Sequence, residues 1–273
     1  MNPSNPTLHG ESPSPTLSNS VMKMFDMTGK VAIITGGSGG IGYEAARALA
    51  EAGANVALWY SRATNTDELA ATIEADFDVK AKAYKCSVEN FEEVQKQTAA
   101  VVADFGRLDV MIANAGISRP AGGIDDPIEN WEQVLAVNLD GAYYCAKLAG
   151  EIFRKQGSGS LIFTASMSGH IANVPQRQAC YNASKAAVIH LAKSLAVEWA
   201  DFARVNAISP GYIKTPISAG IPKGWKEEWL SLTPMRREGD AKELKGIFLY
   251  LASDASTFTT GADIVIDGGY CCR

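Results

Sequence analysis

A tyrosine and a lysine stand four positions apart in YNASK, at residues 181 to 185. The surrounding run, QACYNASKAAVIHLAKSLAVEWA, has the pattern of an amphipathic helix, on which positions i and i+4 lie on one face. Tyr181 and Lys185 can therefore share a site. A phenol ordinarily has a pKa of about 10, and a neighbouring ammonium favours the phenolate and so lowers that pKa. The pair could then transfer a proton at neutral pH, although the same spacing also occurs on the polar edge of ordinary helices.

Two serines stand where a substrate oxygen could be held. Ser166 and Ser168 lie in FTASMSGH, just past a predicted strand. A hydroxyl donor aimed at the oxygen that Tyr181 protonates would hold a carbonyl and stabilise the charge that develops on it. Such a set predicts the reduction of a ketone by hydride transfer, or the reverse oxidation of an alcohol.

The string TGGSGGIG, at residues 35 to 42, stands between a β-branched run and the helical YEAARALAEAG. Glycines let a turn adopt positive φ and let a diphosphate approach the backbone, while the helix start offers free N–H groups. The string fits both G-x-G-x-x-G and T-G-x-x-x-G-x-G. After a strand and before a helix, it predicts a dinucleotide site.

The end of the second predicted strand indicates which dinucleotide to expect. An NAD-binding chain of this design places an acidic residue about 20 residues further on, where it binds the ribose 2′-hydroxyl. Here the chain reads WYSRATNTDE, with no acid before Asp67. Ser61 and Arg62 can instead bind a 2′-phosphate through charge-assisted hydrogen bonds. We therefore expect NADP(H); the alternative is that Arg62 is a solvated loop arginine.

The elements that position these residues follow a regular alternation from Lys30 onward. Short β-branched runs alternate with longer stretches of helical period, which predicts βαβ units and a parallel sheet. Strands are predicted at 30–35, 55–60, 79–85, 108–113, 160–165, 204–209 and 262–267, and helices near 40–52, 64–76, 89–105, 130–156, 179–200 and 240–252. Right-handed crossovers then give an α/β fold, a single doubly wound Rossmann-type domain with a seven-stranded parallel sheet and helices on both faces.

Two segments depart from the alternation. Residues 1–24 are rich in Pro, Ser and Asn and have too little apolar surface to offset the ordering entropy, so we expect a disordered tail before a single domain at 25–273. Residues 210–235 carry four prolines, three glycines and two tryptophans. We expect a small substrate lobe there, over the crevice, with a long surface loop as the alternative.

Composition argues against several classes of protein. The formal net charge is −5, whereas binding to nucleic acid needs a basic surface. No stretch approaches the roughly 20 apolar residues of a membrane helix, and the first residues lack the pattern of a signal peptide. Five cysteines without metal-binding spacing fit reduced thiols. We therefore expect a cytoplasmic protein with no nucleic-acid or membrane partner and no metal.

Six motifs occur in order: TGGSGGIG, ANAG (113–116), VNLDG (137–141), ASMSG (165–169), YNASK and SPGYIKT (209–215). They resemble the successive motifs of the short-chain dehydrogenase/reductases, from about Met27 to Gly269. The resemblance implies a catalytic set of Asn138, Ser166, Tyr181 and Lys185.

The resemblance also implies a role for each member of this set. Tyr181 is the acid/base, while Lys185 binds the nicotinamide ribose and lowers the pKa of the tyrosine. Ser166 polarises the carbonyl and is preferred to Ser168 because it begins the S-x-x-G pattern. Asn138 shapes its helix and supports a proton relay through water.

The same resemblance implies the residues that bind the cofactor. Asn114 corresponds to the asparagine beside the adenine ribose, and Ile213 and Thr215 to the contacts of the nicotinamide carboxamide. The full set is Thr35, Gly36, Ser38, Gly40, Ile41, Gly42, Ser61, Arg62, Ser87, Val88, Asn114, Tyr181, Lys185, Pro210, Gly211, Ile213 and Thr215. Two positions depart from the family pattern: Ser87 replaces a common Asp beside adenine, and Gly39 stands where NADP-binding members often have a basic residue.

Longer strings indicate the substrate. ASMSGHIANVPQ, EWADFARVNAISPGYI, AKELKGIFLYLASDAS and TTGADIVIDGGY are similar to NADP-dependent mannitol dehydrogenases, sorbose reductases and L-xylulose reductases of the fungal type. They imply an NADPH-dependent ketose reductase, or polyol dehydrogenase, for a sugar ketone such as L-sorbose, D-fructose or L-xylulose. His170, Asn173 and Gln176 could hydrogen-bond a polyhydroxy chain, although His170 could equally be bound by loop backbone.

Two alternative functions and an oligomeric state are also expected from the sequence. The chain could be a broad carbonyl reductase for less polar ketones, or a regulator that senses NADP(H) without turnover; the intact Asn/Ser/Tyr/Lys set argues against the regulator. The resemblance also implies a homotetramer in which the long helices at 130–156 and 179–200 pair between subunits.

Overall fold

A seven-stranded parallel sheet forms the centre of the chain in the computed structural model, which describes residues 14–215 and 222–272. The strands are β1 (Val31–Thr35), β2 (Asn55–Tyr60), β3 (Ala81–Lys85), β4 (Val110–Ala113), β5 (Ser160–Thr164), β6 (Arg204–Pro210), β7 (Ile213–Lys214), β8 (Gly239–Asp240) and β9 (Asp263–Ile266). The large sheet has the order β3-β2-β1-β4-β5-β6-β9, and β7 and β8 pair with each other. The predicted fold class is confirmed.

Helices connect the strands. They are α1 (Val21–Met24), α2 (Gly40–Glu51), α3 (Thr66–Phe77), α4 (Phe91–Phe105), α5 (Ile128–Leu135), α6 (Gly141–Gln156), α7 (Ala179–Glu198), α8 (Lys223–Leu232) and α9 (Lys245–Ala252). The helix predicted at 130–156 is divided, because a π-helical turn at Ala136–Asp140 separates α5 from α6. Such turns concentrate at functional sites.

Apolar packing on both faces holds the sheet in place. Every residue of β1, β4 and β5 is buried. Ile33 belongs to one apolar cluster, with Trp59 and Phe163, and the next residue, Ile34, belongs to a second cluster with Phe248. Successive strand residues point to opposite faces, so the two clusters are the cores on the two sides of the sheet. This explains the nearly continuous apolar runs in the central strands.

The strand order creates a crevice beside β1. This strand lies between β2 and β4, so the chain leaves it toward one edge of the sheet and later returns on its other side. Ligands of doubly wound sheets bind at such a point, outside the carboxyl ends of the strands. The glycine loop after β1, Asn114 after β4 and Ser166 after β5 all lie at this edge.

Thr35, the last residue of β1, ties two of these loops together. Its Oγ1 accepts hydrogen bonds from the backbone N–H of Asn114 at 2.9 Å and of Ala115 at 2.8 Å. The side chain is 1% exposed. The predicted cofactor residue Thr35 therefore holds the loop after β4 against the glycine loop.

The two irregular segments are partly described. Residues 1–13 of the predicted disordered tail lie outside the described residues, but the last four residues of that tail form the single helical turn α1. In the predicted lobe, α8 forms, while residues 216–221 lie outside the described residues. The helical turn α1 thus lies within the range that was predicted to be disordered.

Thr35→Val keeps the shape of the side chain and removes the acceptor for two N–H groups. We expect a loss of about 1–3 kcal/mol in the free energy of unfolding, the usual cost of an unsatisfied buried polar group, measured by urea denaturation. Thr164→Val at the end of β5 is the matched control, because the buried Thr164 Oγ1 has no hydrogen-bond partner to lose. Equal effects of both substitutions would contradict the assigned role of Thr35.

Candidate active site

A cavity of about 500 Å³ opens at the carboxyl edge of the sheet. Its walls come from the loops after β1, β4, β5 and β6, from the start of α7 and from α8. The lining residues used below are Gly36, Ser38, Gly40, Ile41, Asn114, Gly116, Ser118, Ser166, Ser168, Gln176, Gln178, Tyr181, Lys185, Pro210, Gly211, Tyr212, Ile213, Thr215, Trp225, Trp229 and Glu238. The cavity thus contains both the glycine loop and the Tyr/Lys pair.

The glycine loop has the backbone geometry that a diphosphate requires. Gly36 has a φ of 63°, in the region that favours glycine, and a Cβ at that position would lie 3.0 Å from Asn114 Nδ2. A Cβ on Gly42 would collide with the carbonyl oxygen of Gly36. Gly40 begins α2, whose first N–H groups have no partner within the helix. The loop therefore fits a dinucleotide.

Tyr181 lies on the first turn of α7 and lines the same cavity as Ser166. Ser166 Oγ also accepts a hydrogen bond from the backbone N–H of Ser168 at 3.1 Å. Burial raises the pKa of Tyr181, and the hydrogen bond with Ser166 opposes that rise. Of the two serines, Ser166 is the one whose hydroxyl acts on the pKa of Tyr181.

Lys185 lies one turn further along α7 and is 4% exposed. Its Nζ donates to the backbone oxygen of Thr164 at 2.8 Å and lies 5.6 Å from the ring centroid of Tyr181. Burial lowers the pKa of Lys185 to about 8. We expected Lys185 to lower the pKa of Tyr181, but the pKa of Tyr181 is raised, because burial disfavours the charged form of both groups.

Asn138 lies in the π-helical turn and is fully buried, outside the cavity lining. Its Oδ1 accepts from the N–H of Ile117 at 2.8 Å, and its Nδ2 donates to the oxygen of Ile117 at 3.0 Å and to Ser184 Oγ at 3.1 Å. Ser184 Oγ in turn donates to the backbone oxygen of Tyr181 at 2.7 Å. Asn138 is thus linked to the backbone that carries Tyr181.

The loop before α7 supplies an amide-rich wall. Gln176 and Gln178 line the cavity, and Gln176 Nε2 donates to Gln178 Oε1 at 2.8 Å. Asn173 lies behind them and does not line the cavity. His170 is outside the lining as well: its Nε2 is 2.6 Å from Asp263 Oδ2, so its partner is a carboxylate and neither a substrate nor loop backbone.

Several predicted cofactor residues lie outside the cavity lining. Val88 is buried against Gly141, where a Cβ would lie 2.8 Å from Val88 Cγ2, and the N–H of Ser87 donates to Glu93 Oε2 at 2.9 Å. Ser61 and Arg62 are exposed just past the end of β2. An elongated dinucleotide that extends from the cavity toward β2 would reach Arg62.

Several residues of the cavity were not singled out from the sequence, among them Gln178, Tyr212 and Glu238. Gln178 stands directly before α7, and Tyr212 lies inside the SPGYIKT motif, so the sequence positions of both could have indicated that they lie near the site. Glu238 had no such signal, because only the pairing of β7 with β8 brings it beside Tyr212. Its Oε1 is buried and has no hydrogen-bond partner among the described residues, while its Oε2 is 3.5 Å from Lys226 Nζ.

The described residues contain neither a membrane-spanning helix nor a cluster of metal-binding side chains. None of the helices within residues 14–215 and 222–272 has the length and apolar character to cross a membrane. Over the same ranges, no group of three or more His, Cys, Asp or Glu side chains could hold a metal ion.

The fold and the site define a class of protein. A doubly wound sheet with a glycine loop at its switch point, and a buried Tyr/Lys/Ser set in the same cavity, is the arrangement of a dinucleotide-dependent oxidoreductase. The family model described as enoyl-(acyl carrier protein) reductase matches residues 36–271.

Known proteins extend this match. A probable NADP-dependent mannitol dehydrogenase of Yarrowia lipolytica is 56% identical over 262 residues, which cover 95% of this chain and 94% of that protein. A sorbose reductase of Schizosaccharomyces pombe is 54% identical over 92% of this chain and 99% of its own length. The crystal structure of an NADPH-dependent 3-quinuclidinone reductase from Rhodotorula rubra has a TM-score of 0.93 and 50% identity, covering 96% and 98% of the two chains. The chain belongs to the short-chain dehydrogenase/reductase family, as its motifs predicted.

The lowered pKa of Lys185 predicts that the activity depends on pH. Its ammonium, 5.6 Å from the centroid of the Tyr181 ring, is present below about pH 8 and is lost above it. We expect kcat/KM for the dinucleotide to fall above that pH, since this ratio reports ionisations of the free enzyme. Lys185→Met should have low activity with no inflection in the same range. A wild-type profile without a decline up to about pH 10 would contradict the assignment.

Proposed function

We propose that this chain is an NADPH-dependent ketose reductase, which interconverts a sugar ketone and a polyol. The observation that carries the proposal is the position of the Ser166–Tyr181 contact in one cavity with the amides of Gln176 and Gln178. Ser166 and Tyr181 fit a carbonyl oxygen, and the amides of Gln176 and Gln178 offer both donors and acceptors to hydroxyl groups. The names of the mannitol dehydrogenase and sorbose reductase relatives support this class of substrate.

The reaction requires a proton donor at the carbonyl oxygen. Reduction adds a hydride to the carbonyl carbon and a proton to its oxygen; bound NADPH supplies the hydride. Ser166 Oγ would hold the oxygen, and Tyr181 would give it the phenolic proton. The raised pKa of Tyr181 keeps that proton in place before the reaction, which suits the direction of reduction.

Lys185 and Asn138 would support this proton transfer. The Lys185 ammonium, 5.6 Å from the phenol ring, would stabilise the phenolate left behind and hold the nicotinamide ribose. A water beside Asn138 and the Lys185 ammonium could return a proton to Tyr181. A Cβ on Gly116 would lie 3.3 Å from Asn138 Oδ1 and 3.5 Å from Lys185 Nζ, so glycine keeps the space between these two groups open.

The cofactor would extend from the cavity to the end of β2. The glycine loop would hold the diphosphate, and Pro210, Gly211, Ile213 and Thr215 would face the nicotinamide end. Ser61 and Arg62 would bind the 2′-phosphate, with no acidic side chain before Asp67 to repel it.

A second candidate is a reductase of compact, less polar ketones. It is supported by the similarity to the 3-quinuclidinone reductase and by two tryptophans of α8, Trp225 and Trp229, in the cavity wall. A sensor without turnover has no comparable support, because binding alone needs no proton donor such as Tyr181.

We further propose a homotetramer in the cytoplasm. Apolar side chains are exposed on the two helices expected to pair between subunits, with Tyr143 on α6 at 45% and Val197 on α7 at 66%. All five cysteines are free thiols, and three of them are buried, which suits a reducing compartment.

Arg62→Ala tests the choice of cofactor. We expect the Kd of NADPH to rise at least tenfold, since a charge-assisted hydrogen bond contributes about 1.5–3 kcal/mol, while the Kd of NADH changes less than about twofold. Fluorescence titration of both dinucleotides measures this. Arg154→Ala, at an exposed arginine near the end of α6, is the charge-matched control. Equal weakening of the two dinucleotides would exclude Arg62 as the phosphate ligand.

A substrate panel with Tyr181→Phe as the control variant tests the activity. We expect loss of NADPH absorbance with L-sorbose, D-fructose or L-xylulose, and a fall of at least about 100-fold in kcat for Tyr181→Phe, which lacks the transferable proton. The variant should still bind NADPH. Wild-type turnover of cyclohexanone but of no ketose would favour the second candidate, and substantial activity of Tyr181→Phe would refute the role of the tyrosine.

A further inference from the structure

Four side chains beside the cavity form a closed ring of hydrogen bonds. Asn173 Nδ2 donates to Tyr212 Oη at 3.1 Å, and Tyr212 Oη donates to Gln176 Oε1 at 3.5 Å, the longest link. Gln176 Nε2 donates to Gln178 Oε1 at 2.8 Å, and Gln178 Nε2 donates to Asn173 Oδ1 at 3.0 Å. All four bonds run in one sense around the ring, so each polarises the next.

Tyr212 enters this ring from another part of the chain. The three amides belong to the loop before α7, whereas Tyr212 lies between β6 and β7. Its ring stacks on Trp229 of α8, with centroids 3.9 Å apart and an interplanar angle of 8°, and packs edge-on against Tyr270 at 5.4 Å. The Tyr212 hydroxyl is thus held by aromatic contacts that are independent of the amides.

The Tyr212 hydroxyl remains protonated. Burial raises its pKa, the hydrogen bond from Asn173 opposes that rise, and the interaction with the Tyr270 hydroxyl adds to it. A phenol has one hydrogen to donate and can accept at the same time. Tyr212 can therefore accept from Asn173 while it donates to Gln176.

The ring and Asn182 together fix which way the amides face. Turning one Gln or Asn amide over exchanges its donor for its acceptor and would place two donors or two acceptors against each other in the ring. Reversal of all three amides together is opposed by Asn182, whose Nδ2 donates to the backbone oxygen of Ile171 at 3.3 Å, so that its Oδ1 faces Gln178 Nε2. Gln178 Nε2 also lies 3.3 Å from Ser168 Oγ and 3.1 Å from Asn182 Oδ1. Its two hydrogens serve three acceptors, so one acceptor is left over for a hydroxyl donor.

We infer that Tyr212 is a positioning residue that makes the cavity selective for polyhydroxy ketones over plain ones. Its hydroxyl holds the amides of Gln176 and Gln178 in the one orientation in which they bind the hydroxyl groups of an open-chain ketose. The inference rests on the proposed ketose reductase function. Tyr212 itself acts through the two glutamines and takes no part in the transfer of hydride or proton.

Tyr212→Phe tests this, because it keeps the stacking on Trp229 and removes only the hydroxyl. We expect KM for the best ketose of the panel to rise about tenfold, the effect of one lost hydrogen-bonded network contact. The kcat for that ketose, KM for NADPH and kcat/KM for cyclohexanone should change less than about twofold. A merely structural defect would instead lower activity with both ketones.

Two further variants complete the experiment. Asn173→Leu opens the ring at a residue that does not line the cavity, and the same selective loss is expected; it tests the inference even if Tyr212→Phe fails to fold. Tyr250→Phe is the matched control, since the Tyr250 hydroxyl pairs with Thr259 Oγ1 at 2.8 Å and does not line the cavity. Its ketose-to-cyclohexanone ratio of kcat/KM should equal that of the wild type.

The outcomes separate the two proposals. Wild-type reduction of a ketose, with an unchanged ratio in Tyr212→Phe and in Asn173→Leu, overturns this inference alone. Wild-type reduction of cyclohexanone but of no ketose overturns the proposed function, and the inference with it. A selective rise of KM for the ketose in either variant, absent in Tyr250→Phe, supports the inference.

Discussion

The parallel alignment of β1, β4, β5 and β6 is the constraint on which the rest of the structure depends. Parallel strands all end at the same edge of a sheet, and the loops that follow them meet there. The glycine loop, Asn114, Ser166 and the Pro210–Gly211 turn therefore converge, although they are spread over more than half of the chain. Buried apolar clusters on both faces prevent the strands from shifting register, since a slip of one residue would turn each core side chain to the other face.

Burial then sets the chemistry of the site. The same desolvation that raises the pKa of Tyr181 lowers that of Lys185, so the proton affinities of the two groups move apart. In water the two pKa values would be similar, and neither group would titrate near neutral pH. The carbonyl of Thr164 accepts a hydrogen bond from Lys185 Nζ. The hydroxyl of Ser166 lowers the pKa of Tyr181 and so opposes the effect of burial. The proposed proton transfer needs this balance between desolvation and a few fixed contacts.

The cavity wall formed by Tyr212 and the amides of the loop before α7 has a different physical basis. There, neutral amides and a phenol satisfy one another in a ring, and no ion pair is needed. Such a wall can bind hydroxyl groups without the desolvation cost of a charged group. Because Tyr212 is stacked on Trp229, the lobe and the loop before α7 share this wall.

The sequence by itself determined the order of the elements and the residue types at the catalytic positions. The seven strands follow from β-branched runs of the right length, and the pairing of Tyr181 with Lys185 follows from helical spacing, both of which are local properties. Only the tertiary structure decided which polar groups meet across distant segments: Asp263 at His170, and Tyr212 between Asn173 and Gln176. It also decided the shift in the pKa of Lys185, because burial depends on the packing of the whole domain and has no local signature.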